Sequence, residues 1–225
     1  MFDNIIKKIG LTSFQLKIIA IITMTIDHAG LTLMGGTEYY SICRIIGRIA
    51  FPIYCFLIAE GFVRTSNVKK YALRLFVFAL VSEIPFNLML TGRLLAFGYQ
   101  NVFFTLLLGL LLLYWYSYFN VKNNIAVALL GVPAFMVIAH FLNTDYSWWG
   151  VMLIFLFYAF KDKKLMSALF AGASMLLYGG TEKYAVLSLA PILLYNGKKG
   201  RSMKYFFYVY YPLHILVLCV LRYVL

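Results

Sequence analysis

KIIAIITMTIDHAG, running from Lys17 to Gly30, decides how the rest of the chain is read. Its isoleucines, alanines and methionine suit a helix immersed in lipid, yet it also carries Lys17, Asp27 and His28. A charged group at a helix centre costs about 2.5–3.5 kcal/mol in a bilayer. Such groups are therefore either paired for structure or used for chemistry. The stretch sits inside an apolar run over residues 11–34, and about 20 residues suffice to cross the hydrocarbon. The run is too long, and too charged, for a cleaved signal peptide despite Lys7 and Lys8 before it, so it reads as a retained first helix.

Working outward, the same texture repeats. The 225 residues are 63% hydrophobic and 12% charged, half the charged fraction of about 25% in soluble domains, and the mean hydropathy is +0.85. Apolar segments fall at about 11–34, 42–63, 70–90, 101–119, 124–142, 148–160, 164–178, 183–195 and 203–225. The expected fold is all-α: a polytopic transmembrane bundle of about nine helices forming a single integral domain over residues 1–225. The sixth to eighth segments are short for a crossing. The LLLGLLLLYW run of the fourth reads as lipid-facing surface.

Orientation follows from the loops. With the amino terminus in the cytoplasm, Lys7, Lys8, Arg64, Lys69, Lys70, Lys122, Lys161, Lys163, Lys164, Lys198, Lys199, Arg201 and Lys204 fall on that side, thirteen basic residues. Arg93 and Lys183 fall opposite, together with Glu38, Asp145 and Glu182. This bias is what the positive-inside rule requires. It accounts for most of the net charge of +12 and makes nucleic acid an improbable partner; the bilayer is the partner the composition specifies. Cys43, Cys55 and Cys219 lie within apolar segments without paired spacing, and no ligand spacing suggests a metal.

The polar residues inside apolar segments fall into layers. A hairpin turning near residue 38 sets Lys17 level with Glu60 and His28 level with Arg48. A second turn near 67 sets Glu60 level with Arg74 and Arg48 close to Glu83 and Asn87. The inner layer is thus Lys17, Glu60 and Arg74; the outer is Asp27, His28, Arg44, Arg48, Glu83 and Asn87. Lys17 and His28, eleven residues apart, return to nearly one stripe of the helix, about 16 Å apart. Arg44 and Arg48 share a face at i, i+4. His214, within YYPLH of the last helix, lies at a comparable depth and is either a second site residue or structural. Glu60, Arg74 and Glu83 read first as ion pairs between helices. His28 reads as a base, because imidazole titrates near neutral pH, with Asp27 holding its tautomer.

FQLKIIAIITMTIDHAG, CRIIGRIAFPIYCFLIAEGFVRT, KYALRLFVFALVSEIPFNLML, NVFFTLLLGL, DYSWWGVMLIF and YNGKKGRSMKYFFYVYYPLHILVL, in this order, resemble the TraX family over nearly the whole chain. The best-known role in that family is acetylation of the amino terminus of conjugative pilin. The family is also similar to membrane acyltransferases with a basic residue, ten spacers and a histidine in the first helix, a spacing that Lys17 and His28 reproduce. The resemblance implies a multi-pass protein of a bacterial cytoplasmic membrane. It would move an acetyl or short acyl group from cytoplasmic acetyl-CoA, or another acyl-CoA, to an amine or hydroxyl of a peptide, lipid or glycan. Catalysis would rest on His28 and Asp27, and substrate or donor contacts on Lys17, Arg44, Arg48, Glu60, Arg74, Glu83, Asn87 and His214. The basic loop with Lys198, Lys199, Arg201 and Lys204 would attract the nucleotide end of the donor. A small-solute or lipid transporter and a scaffold of a conjugation or secretion system are the rival readings.

Overall fold

The computed structural model describes residues 9–224; Lys7 and Lys8 lie outside the described residues. Every expected segment is helical: α1 (Ser13–Leu33), α2 (Tyr39–Gly47), α3 (Ala50–Arg64), α4 (Val68–Thr91), α5 (Val102–Val121), α6 (Ile125–Phe141), α7 (Ser147–Ala159), α8 (Lys164–Tyr178), a 3₁₀ helix (Gly180–Ser188), α9 (Leu189–Leu193) and α10 (Lys204–Val224). Five stretches are long and apolar enough to span a membrane: Ser13–Leu33, Tyr39–Arg64, Val68–Thr91, Val102–Val121 and Tyr205–Val224. The protein is a polytopic membrane protein.

Local chemistry sets the boundaries. Thr12 caps α1 in a reciprocal box, accepting from the Gln15 N–H at 3.3 Å while Gln15 Oε1 accepts from the Thr12 N–H at 2.8 Å. Asn67, Asn101 and Asn124 cap α4, α5 and α6 through their side-chain oxygens. The second segment is one span broken between α2 and α3. Pro52 explains the break: its ring would meet the carbonyl of Arg48, and it brings no N–H to that carbonyl. The N–H groups of Arg48 and Ile49 instead reach back only three residues, to Ile45 and Ile46.

The short eighth segment departs from a plain helix. From Gly180 it runs as 3₁₀ for nine residues before the single α-turn of α9. The 3₁₀ form rises about 2.0 Å per residue against 1.5 Å, so this segment covers about 18 Å where an α-helix would cover about 13.5 Å.

The chain forms two compact units. One combines the chain through Tyr54 with everything from Lys164 onward; the other is Cys55–Lys163. In the second unit α5 packs against α4, α6 and α7. The leucine run of α5 is not the expected lipid-facing surface: Leu106, Leu108, Leu110, Leu112 and Leu113 are all buried. Glycines allow it. Gly109 lies so close to Ile154 that a Cβ would approach within 2.2 Å, and Gly131 stands equally near Trp115. Small residues bring membrane helices together where no hydrophobic effect does so.

Glu83 and Asn87 also take a role other than the expected one. Glu83 forms no ion pair among the described residues. Its Oε1 accepts from the Asn101 backbone N–H (2.9 Å) and Asn101 Nδ2 (2.5 Å), and Asn87 Nδ2 approaches Oε2 at 3.5 Å. A carboxylate at the start of α5 suits the positive end of that helix, so Glu83 fastens α4 to α5. Glu83→Ala, by removing a charged acceptor worth about 1.5–3 kcal/mol per bond, is expected to lower the thermal midpoint in micelles, with Glu83→Gln retaining part of it. Equal midpoints for all three proteins would refute this role.

Candidate functional site

All site chemistry described here lies in the unit built from the two ends of the chain. Successive residues on α1 point about 100° apart, and this divides its polar groups between two neighbours. Asp27 faces α2, whereas Thr25 and His28 face α10.

On the α2 side the fit is tight. At Gly47 a Cβ would lie 2.1–2.3 Å from three Asp27 atoms, so only glycine lets α2 come this close. The Asp27 carboxylate then receives Arg44 Nη1 at 2.8 Å and Arg48 Nη2 at 2.8 Å to both oxygens. Arg48 is committed on every side. Its Nε donates to the Arg44 carbonyl at 3.1 Å, and its Nη1 to Glu182 of the 3₁₀ helix at 2.5 Å. Arg48 exposes 6% of its side chain and Arg44 24%. Two arginines and two carboxylates thus balance within one network. Glu182 Oε2 is buried without a hydrogen-bond partner.

The α10 side carries a second chain of bonds, built without a carboxylate. His28 Nδ1 and His214 Nε2 are 2.7 Å apart, and His214 Nδ1 lies 2.8 Å from the Tyr210 carbonyl one turn earlier. A carbonyl only accepts, so His214 carries a proton on Nδ1, and in its neutral form offers Nε2 as acceptor. His28 must then donate from Nδ1, which leaves the lone pair of its Nε2 unshared. The ring planes agree within 5° with centroids 5.0 Å apart; that separation is the N–N distance plus two ring radii, so the imidazoles lie edge to edge in one plane, as an N–H···N bond requires. The Tyr211 ring stands edge-on to both, at 6.1 Å from His28 and 5.8 Å from His214, and the Tyr210 ring lies 13° from parallel to His214 at 5.0 Å. Thr25 Oγ1 donates to the Ile21 carbonyl (2.8 Å), so Tyr210 donates its hydroxyl proton to Thr25 at 2.7 Å. The two helices are thereby pinned on either side of the imidazole pair.

The expected role of Asp27 as tautomer holder is corrected by this geometry: two guanidinium groups occupy its carboxylate, and His214 orients His28 instead. Lys17 lies on the stripe that faces α10, its Nζ 5.1 Å from the Phe207 ring centroid. Glu60 and Arg74 belong to the other unit. There Glu60 accepts from Arg64 of its own helix at 2.6 Å, while Arg74 lies over the Tyr71 ring. Sequence reasoning missed Glu182, which it left in an outer loop, and Thr25 and Tyr210.

At the inner end, the loop before α10 seats on the start of α1. The Lys198 and Lys199 carbonyls accept from the N–H groups of Ser13 (2.9 Å) and Phe14 (3.1 Å), and Asn196 donates its backbone N–H to the Leu11 carbonyl and its side-chain Nδ2 to the Gly10 carbonyl. Gly200, at φ +68°, makes this approach possible; a Cβ would come within 2.6 Å of Thr12 Oγ1. The side chains of Lys198, Lys199 and Arg201 remain exposed.

Comparison with known proteins matches residues 13–222 to the TraX protein family. The probable fimbrial assembly protein FimC, serogroup H1, of Dichelobacter nodosus is 32% identical over 245 aligned positions, covering 95% of this chain and 96% of that protein. The uncharacterized protein RP591 of Rickettsia prowazekii (strain Madrid E) is 32% identical over 107 positions, 47% of this chain and 38% of that protein. No solved structure matches. With the family model matching residues 13–222 and a relative 32% identical over 95% of the chain, the chain belongs to the TraX family.

Proposed function

We propose that the protein is a membrane-embedded acyltransferase that moves an acetyl or short acyl group from cytoplasmic acyl-CoA to an amine or hydroxyl in or across the membrane. The observation that carries this reading is the contact of His28 Nδ1 with His214 Nε2 at 2.7 Å, while His214 Nδ1 meets the Tyr210 carbonyl; with both rings neutral this leaves the His28 Nε2 lone pair for a substrate proton. In the reaction, the acceptor's nitrogen or oxygen attacks the thioester carbonyl carbon as its proton passes to His28 Nε2. The oxyanion collapses, the carbon–sulfur bond breaks, and the thiolate leaves with the proton returned by His28. Arg44, with one nitrogen committed to Asp27, is better suited than the enclosed Arg48 to meet the developing negative charge. Arg48 holds Asp27 and the 3₁₀ helix in register. Lys17, toward the cytoplasmic end of the His28 stripe, and the exposed Lys198, Lys199 and Arg201 favour an anionic donor from the inner side. The Dichelobacter nodosus relative is named for fimbrial assembly, which supports trying a fimbrial subunit first among peptide, lipid and glycan acceptors.

The test is thiol release from acetyl-CoA by the purified protein in lipid nanodiscs, with acetylated acceptor identified by mass spectrometry. No release, together with solute movement in liposomes, would replace this reading with a transporter. His214 supplies a finer check. His214→Ala is expected to lower kcat about 10- to 100-fold, the usual cost of losing an orienting partner, with KM for acetyl-CoA unchanged. His214→Gln keeps an acceptor for His28 Nδ1 and is expected to recover most of the loss. A purely structural His214 would give no such split.

A further inference from the structure

Arg74 stands out because the expected ion pair is missing. Among the described residues it has no carboxylate partner. Its guanidinium lies 5.5 Å from the Tyr71 ring centroid, and its Nε is buried without a hydrogen-bond partner. Tyr71 is held in place: its ring presses on Gly61, where a Cβ would lie 3.0 Å away. The nearest acid on the preceding helix, Glu60, bonds Arg64. Lys70, one turn earlier on the same face of α4, is exposed and adds a second cation.

Arg74 lies six residues past Val68, about 9 Å along α4 from its cytoplasmic end. A guanidinium at that depth needs an anion or water to stay charged. We propose that Arg74, backed by Lys70, is a phosphate-binding site at the inner boundary of the membrane. Phosphate suits it because the planar guanidinium fork binds two oxygens at once, while a lysine adds only a point charge. Two sources bring phosphate to this depth: the headgroup of an inner-leaflet phospholipid, and the phosphates of a CoA donor. The second source rests on the acyltransferase reading above.

The experiment compares wild type, Arg74→Gln and Arg74→Lys after detergent exchange. Native mass spectrometry reads retained phospholipid, and titration reads binding of CoA and of pantetheine, which lacks the phosphates. A lipid site is supported if Arg74→Gln loses a phospholipid that wild type retains. A donor site is supported if Arg74→Gln weakens CoA about tenfold or more, the worth of one charged hydrogen bond, with pantetheine unaffected. Arg74→Lys, which keeps the charge without the fork, falls between the two and guards against a glutamine variant that fails to fold. Unchanged lipid retention and CoA affinity in both variants overturns the site. If wild type binds no CoA, the acyltransferase reading fails and lipid retention alone decides this one.

Discussion

His28→Ala is expected to leave a folded protein in the membrane and to lower acetyl transfer about 10²- to 10⁴-fold, the usual contribution of a positioned general base. The loss belongs in kcat, because the imidazole acts as the acceptor's proton departs and not when the donor binds. Folding should survive. His28 is only partly buried, and Tyr210 still bonds Thr25 across the same two helices. Added imidazole should restore part of the rate by entering the vacated space. If His28→Ala turns over normally, or loses only stability, the imidazole pair is a helix clasp and the catalytic reading falls.

The largest effect on stability is expected at Asp27. Its carboxylate stands between two guanidinium groups, one of them almost fully enclosed. Removing it leaves two guanidinium groups facing each other, with Glu182 as the carboxylate that remains bonded to Arg48, and breaking a buried pair from one side costs about 3–5 kcal/mol. Asp27→Ala should therefore shift denaturant unfolding in micelles by that amount, and Asp27→Asn by less, since an amide oxygen still accepts. Gly47→Ala tests the same contact from the other helix. Its new methyl group would overlap three atoms of Asp27, so α1 and α2 must part and the triad opens without any change of charge. A Gly47→Ala protein as stable as wild type would show that the close approach is not what holds the arginines.

Depth was readable from the chain and direction was not. Counting residues from each turn set His28 level with Arg48 and His214 at a comparable depth; the structure joins Arg48 to Asp27, the residue before His28, and His214 to His28 itself. What counting could not supply was rotation. Asp27 and His28 are neighbours in sequence, yet one turns to α2 and the other to α10, because a helix advances 100° per residue. The tautomer role given to Asp27 failed for that reason. Glu60 and Arg74 were matched by depth alone, but one bonds its own helix and the other lies over a tyrosine. The leucines of α5 misled differently. Hydropathy is equal for a side chain in lipid and one against other helices, and only Gly109 and Gly131 hinted at close packing. Glu182 was hidden because it was read as part of a loop, whereas the structure places it in the 3₁₀ helix.

The two imidazoles that touch stand 186 positions apart in the chain. His28 is synthesised long before His214, so until the chain reaches α10 the first ring lacks the neighbour that meets its Nδ1. A polypeptide stopped before α10 therefore lacks the imidazole pair, and on the acyltransferase proposal it is expected to be inert toward acyl donors until that helix is inserted.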